Sequence, residues 1–147
     1  LIAARIENDG TVAAHGGSVL MGAGSRVSLD LGGPARLSVE QGAIDALVRN
    51  GGAILADGGR VFLTARAADA LRGAVLNNTG VIEARTLATG AKGEIVLLAD
   101  MAHGRAEVGG RLDASAPTGG DGGFIETSGA TVDTLPGLTV NAGAVQG

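Results

Sequence analysis

A repeated pattern of asparagine, glycine and apolar residues is the feature of this sequence that most constrains its fold. Residues 8–21 (NDGTVAAHGGSVLM) align without a gap on residues 50–63 (NGGAILADGGRVFL). A third copy begins at Asn78 and a fourth at Gly110, both with insertions. Because four copies share the pattern, we interpret the chain as a stack of repeats that bury one common core.

Within each copy, apolar residues alternate with other residues over three or four positions, which is typical of short strands. Gly or Gly-Gly separates the strands and leaves a turn too tight for a helix. We therefore predict an all-β fold, a parallel β-helix (solenoid), with Ile54 and Val61 pointing inward. At about 20 residues per coil, the chain forms roughly seven coils. The alternative is an antiparallel β-sandwich with Gly-rich turns, which usually carries inward aromatic residues.

Stacked coils place equivalent residues above one another, so we expect a ladder of asparagine amides at one corner. Glycine supplies the positive φ angle that such corners need, and we expect this conformation at Gly52. The residues predicted for this structural corner ladder are Asn8, Asn50, Asn78, Gly10, Gly52, Gly80 and Gly110.

Two segments depart from the repeat. Residues 39–48 and 65–76 carry apolar residues at helical spacing. We interpret both as short helical or loop excursions outside the coil that cover its core.

Composition narrows the classes of function. The chain contains 27 glycines, 1% aromatic residues and no cysteine, so its core is aliphatic and has no disulfide support. The net charge is −4 and basic residues never cluster, which argues against a nucleic-acid partner. No apolar stretch is long enough for a transmembrane helix.

Few residues suggest chemistry. His15 and His103 have no partner at metal-binding or catalytic spacing and are interpreted as surface residues. Asp113, Glu126 and Asp133 are the carboxylates that a polysaccharide-cleaving β-helix would gather on one face. The run at 119–123 has Phe124 where a calcium-binding repeat needs aspartate. We predict no catalytic residue, no metal site and no cofactor.

Several stretches resemble the filamentous-haemagglutinin-like exoproteins, the large passengers of bacterial two-partner secretion. They are 47–54 (LVRNGGAI), 59–68 (GRVFLTARAA), 75–84 (VLNNTGVIEA), 112–116 (LDASA) and 119–129 (GGDGGFIETSG). The resemblance covers nearly the whole chain. It implies one right-handed parallel β-helical segment, in which residues 1–100 match the later part of the secretion domain and 101–147 the start of the following stalk. The family's N-P-N-G-type motif is absent, so we expect the segment to begin after it.

The resemblance also implies a function. We expect a structural and adhesive segment, not an enzyme, that is secreted to the cell surface of a Gram-negative bacterium. Its partners would be an outer-membrane β-barrel transporter during export and a receptor on a host cell or other surface. The alternatives are a β-helical enzyme that cleaves polysaccharide and a module recognised by the transporter.

Overall fold

The computed structural model describes residues 1–69, 73–87 and 91–145. These residues form strands, turns and loops and include no helix, hence none long and apolar enough to cross a membrane. The strands are β1 (Ile2–Ala3), β2 (Arg5–Asn8), β3 (Thr11–Ala13), β4 (Val19–Ala23), β5 (Arg26–Asp30), β6 (Arg36–Gln41), β7 (Leu47–Asn50), β8 (Ala53–Leu55), β9 (Arg60–Ala65), β10 (Val75–Asn78), β11 (Val81–Glu83), β12 (Glu94–Ala99), β13 (Arg105–Val108), β14 (Arg111–Asp113), β15 (Phe124–Ser128), β16 (Thr131–Thr134) and β17 (Thr139–Asn141).

Three parallel sheets of five strands each wrap around one core, and together they make a parallel β-helix. Sheet 1 has the order β1-β4-β9-β12-β15, sheet 2 the order β16-β13-β10-β7-β2, and sheet 3 the order β17-β14-β11-β8-β3. The chain runs from sheet 2 to sheet 3 to sheet 1 and then starts the next coil. The parallel pairing confirms the solenoid and excludes the antiparallel sandwich.

The predicted coil length was wrong. Asn8 faces Asn50, Asn50 faces Asn78, Asn78 faces Val108 and Val108 faces Thr134, so successive coils take 42, 28, 30 and 26 residues. The described residues therefore hold four complete coils, with an incomplete coil at each end, instead of seven coils. The sequence pattern showed two strands per repeat, whereas each coil also includes a third strand, in sheet 2, which in the first three coils ends at the asparagine.

The core is a column of aliphatic side chains stacked in register. On sheet 3, Ile54 lies between Val12 and Ile82, and on sheet 1, Val61 lies between Val19 and Ile95. Ile54 and Val61 are fully buried, which confirms their predicted inward orientation. The narrow column explains why aliphatic residues suffice, since each layer holds at most about three inward side chains per sheet.

The two segments predicted as excursions contain no helix where the structure describes them. Residues 39–41 end β6, Ala43 forms a parallel bridge with Ala67, and residues 47–48 begin β7. In 65–76, Ala65 ends β9 and residues 75–76 begin β10, while 70–72 lie outside the described residues. The apparent helical spacing arose because apolar residues of two successive strands were counted as one element.

The excursion that the structure does show is a β-hairpin. Strands β5 and β6 follow β4 and precede β7 in the sequence, and they pair with each other antiparallel. Their insertion accounts for the long first coil. The hairpin packs on the outer face of sheet 1. A Cβ added at Gly22 would lie 2.5 Å from Leu37 Cδ2, and one at Gly24 would lie 2.3 Å from Val39 Cγ1. These two glycines of the β4 segment therefore make room for the β6 side chains.

Replacing Ile54 with Asp places an unpaired charge inside the column. We expect the free energy of unfolding to fall by at least about 3 kcal/mol, because nothing in the aliphatic layer compensates a carboxylate. Ile44→Asp is the matched control, since Ile44 is 61% exposed, and should cost less than about 0.5 kcal/mol. Urea denaturation followed by circular dichroism measures both. Equal stability of the two variants would contradict the inward position of Ile54.

Candidate functional site

The predicted corner ladder lies where sheet 2 turns into sheet 3. Asn8 Nδ2 donates to Asn50 Oδ1 at 2.8 Å, and Asn50 Nδ2 donates to Asn78 Oδ1 at 2.8 Å. Asn50 and Asn78 are fully buried on the inner side of sheet 2. The amides thus form a head-to-tail chain inside the protein, parallel to the axis of the coil.

The ladder also satisfies backbone groups of the corner. Asn78 Nδ2 donates to the Gly109 carbonyl at 2.9 Å, and Asn8 Nδ2 donates to the Ala53 carbonyl at 3.2 Å. In the fourth coil, Val108 occupies the position equivalent to Asn78, and the ladder stops there. Because buried amides are costly without partners, this arrangement fixes the coil-to-coil register.

The corner glycines stack as predicted in position, but the reason predicted for Gly52 was wrong. The φ angle of Gly52 is not positive; in this column only Gly110 has a positive φ, of 64°. Gly52 is needed because a Cβ there would lie 2.1 Å from the Gly10 carbonyl oxygen. The same holds at Gly80 and Gly110, where an added Cβ would lie 2.1 and 2.0 Å from the carbonyl oxygen of the preceding coil. Positive φ angles occur instead in the Gly-Gly turns, at Gly16 and Gly58.

Outer faces of the coils carry ion pairs between successive coils. Arg49 Nε lies 3.1 Å from Glu7 Oε2, and Arg105 Nε lies 2.8 Å from Asp133 Oδ2. Another pair joins Arg85 to Asp57, where the guanidinium hydrogen bond holds the pKa of the Asp57 carboxyl below its usual value. These pairs are partly exposed, so each adds little stability, but they favour the same register as the amide ladder.

The three carboxylates considered for polysaccharide cleavage lie on three different sheets. Asp113 is on β14, where Arg111 and the Ser115 backbone N–H bind it. Burial alone would raise the pKa of Asp113, but these hydrogen bonds outweigh it and the pKa is lowered. Glu126, on β15, accepts a hydrogen bond from Ser128, and Asp133, on β16, contacts Arg105. The structure does not gather them into one site.

His15 and His103 are exposed in turns, as the sequence suggested. Within residues 1–69, 73–87 and 91–145, no three His, Asp or Glu side chains lie close enough together to hold a metal ion. Phe124, which stands where a calcium-binding repeat would have aspartate, lies on β15 and is 54% exposed.

A groove beside the hairpin is a concave surface that the sequence did not predict. It has a volume of about 550 Å3. Leu37 and Val39 of β6 form one wall, and Phe62, Thr64 and Leu98 on the outer face of sheet 1 form the floor. A second compartment of about 320 Å3 continues along β6 between Arg36, Arg60 and Phe62.

Polar groups at the groove are held in place by their neighbours. Arg66 Nη1 donates to the Val39 carbonyl at 3.0 Å and so fixes β6 to the coil. Asp100 accepts hydrogen bonds from the backbone N–H groups of Ala102 and His103. Burial alone would raise the pKa of Asp100, but these backbone hydrogen bonds outweigh it and lower the pKa. Apolar lining with a few fixed polar groups is a common feature of ligand-binding pockets.

Comparison of the chain with protein-family models, with curated proteins and with solved structures found no match.

The corner glycine column generates the first test of this region. Gly52→Ala should lower the free energy of unfolding by about 1–3 kcal/mol, because the added Cβ must push the Gly10 backbone away. Gly10→Ala is the control, since a Cβ at Gly10 meets nothing within 4 Å. Thermal unfolding measures both variants. If Gly10→Ala destabilised the protein as much as Gly52→Ala, the close approach would not be the cause.

The amide ladder generates the second test. Asn77 and Asn78 are adjacent in β10 but point to opposite sides, Asn77 outward to Glu107 and Asn78 into the ladder. Asn78→Ala should cost about 2 kcal/mol or more, because the Gly109 carbonyl loses its 2.9 Å donor and the buried Asn50 amide keeps only its longer contacts of 3.4–3.5 Å to backbone carbonyls. Asn77→Ala should cost about 0.5–1 kcal/mol. Urea denaturation of both variants measures the difference, and equal losses would contradict the ladder's role.

Proposed function

We propose that this chain is a structural and adhesive segment of a large bacterial exoprotein exported by two-partner secretion. The single observation that supports this best is the stack of parallel coils in continuous register, with one aliphatic column inside. Such a stack is a stiff rod whose sides carry binding surfaces. The sequence resemblance to exported passengers points in the same direction.

The source of the stability suits a protein that crosses a membrane unfolded and folds outside the cell. The coils are joined by parallel backbone hydrogen bonds, the amide ladder and stacked aliphatic residues, and the chain contains no cysteine. Each new coil can therefore form on the previous one, because its contacts are with its nearest neighbour. On this proposal, an outer-membrane β-barrel transporter of a Gram-negative bacterium delivers the chain, and folding on the far side follows coil by coil.

Adhesion requires a surface that the scaffold holds rigidly, and the hairpin supplies one. Leu37 and Val39 anchor β6 on sheet 1, while Leu31 at the hairpin tip is 71% exposed. Binding residues on loops are commonly positioned in this way by a rigid framework. We propose that the side of the rod bearing the hairpin and groove faces the cell or surface that is bound.

Location in the cell tests the export proposal. An epitope tag between Gly32 and Gly33 lies at the exposed tip of the hairpin, where a side chain at Gly33 would meet nothing. In the bacterium that encodes the protein, we expect protease added to intact cells to remove the tag, or the tag to appear in the medium. Inactivating the outer-membrane transporter should retain the tag inside the cell. Protection of the tag until the cells are lysed would contradict the proposal.

Adhesion is measured separately on the same strains. Cells producing the Ile54→Asp protein should lose attachment to the surface that they colonise, because the scaffold no longer folds, whereas Ile44→Asp cells should keep it. Normal export with unchanged attachment of Ile54→Asp cells would contradict an adhesive role. Loss of export when only the hairpin is replaced by a short linker would favour the alternative of a transporter-recognition module.

A further inference from the structure

The outer edge of β5 has none of the described strands beside it. Within the part of the chain that the structure describes, β5 pairs only with β6, in a two-stranded sheet. Four of its five residues are exposed, and Val27 is partly buried. An exposed edge of this kind presents unpaired backbone N–H and C=O groups that can pair with another strand.

The sequence of β5 is complementary to itself when read in the opposite direction. Its residues are Arg26, Val27, Ser28, Leu29 and Asp30. Two copies aligned antiparallel about Ser28 place Arg26 opposite Asp30 and Val27 opposite Leu29, on both sides of the central serine. Opposite charges and apolar pairs at directly facing positions are the combinations that stabilise antiparallel strands.

We propose that two copies of this chain associate through their β5 edges, antiparallel about a two-fold axis at Ser28. The two hairpins then form one four-stranded sheet with the order β6-β5-β5-β6. The interface is isologous, since the same five residues contribute from each copy. This inference is independent of the proposed export, because it concerns the folded protein in solution.

The charged groups at the edge are available for this pairing. Among residues 1–69, 73–87 and 91–145, no acid forms an ion pair with Arg26. The Asp30 carboxylate accepts one hydrogen bond, from the Gly32 N–H at 2.9 Å. A second copy would therefore add two ion pairs without breaking one. Parallel pairing would place Arg26 opposite Arg26 and is disfavoured by like charge.

The apolar residues of β5 favour the same arrangement. Leu29 faces Leu37 across the hairpin and therefore lies on the side that packs on sheet 1. Leu37 is 6% exposed, but Leu29 remains 47% exposed. In the paired sheet, Val27 of the second copy lies beside Leu29 and covers it. Two edges of five residues make a small interface, so we expect a weak dimer that requires roughly 0.1 mM protein.

Cysteine trapping tests the alignment directly, because the chain has no cysteine of its own. In Ser28→Cys, the two sulfur atoms meet at the axis, where facing Cα atoms are about 4.5–5.5 Å apart and a disulfide fits. Ser38→Cys is the matched control. Ser38 faces Ser28 within the hairpin and is also exposed, but the two copies of Ser38 would be about 14 Å apart across the four strands.

Under mild oxidation, Ser28→Cys should form disulfide-linked dimers about tenfold faster than Ser38→Cys. Equal rates of disulfide formation in the two variants would overturn the proposal. So would the absence of a disulfide-linked dimer from Ser28→Cys at a protein concentration of about 0.1 mM. These substitutions exchange one small exposed side chain for another, so both variants are expected to fold, and circular dichroism verifies it.

Charge reversal tests the two ion pairs. Adding Arg26→Asp to the Ser28→Cys protein should abolish trapping, because Asp then faces Asp30 at both ends. Lys92→Asp changes the net charge equally and should leave trapping unchanged, since Lys92 pairs with Asp121 elsewhere on the surface. Mixing the double variant, Ser28→Cys with Arg26→Asp, with a second one, Ser28→Cys with Asp30→Arg, should restore trapping as a heterodimer. Melting curves must show that both proteins are folded. Trapping that ignores Arg26→Asp would overturn the proposed register.

Discussion

The close spacing of parallel strands from coil to coil is the constraint on which the rest of this structure depends. Backbone hydrogen bonds hold neighbouring strands about 4.8 Å apart. At the corner between sheets 2 and 3, one coil then lies so near the next that a Cβ at Gly52 would be 2.1 Å from the Gly10 carbonyl oxygen. The same spacing brings Asn8, Asn50 and Asn78 within hydrogen-bonding distance. Glycine content, the amide ladder and the scarcity of aromatic residues all follow from this one geometry.

The parts of the fold that could be read from the sequence are those in which one coil repeats another. The asparagines, the corner glycines and inward residues such as Ile54 recur at equivalent positions, so alignment of the chain with itself was sufficient. The length of a coil could not be predicted in this way. Most of each sheet 2 strand lies before the asparagine at which the repeated pattern begins, and loops of different length separate the strands. The role of Gly52 was misjudged for a related reason: a single sequence shows that glycine is required there but not whether φ or space requires it.

The groove and the hairpin could not have been predicted from the repeat, since each occurs once. Residues 39–48 showed helical spacing, whereas in the structure they span the end of β6, a bridge and the start of β7. Where β6 lies is decided by tertiary contacts: Leu37 fits over Gly22 and Val39 over Gly24. The available signal was Gly22 in β4, where the neighbouring strand on sheet 1 carries Thr64, because glycine in a strand often marks the close approach of another segment.

The amide ladder has a direction, and this has a consequence for how the coils can be rearranged. It begins with the Gly10 N–H donating to Asn8, passes each hydrogen bond on toward the C-terminus, and ends on the Gly109 carbonyl in the coil that carries Val108. Every coil along it thus occupies an assigned place, as first, middle or last member of a finite series. Duplicating the Val108 coil within the series, or exchanging it with a middle one, would leave the side-chain oxygen of the next asparagine without the amide that donates to it. Although the sequence looks periodic, its coils are not interchangeable modules.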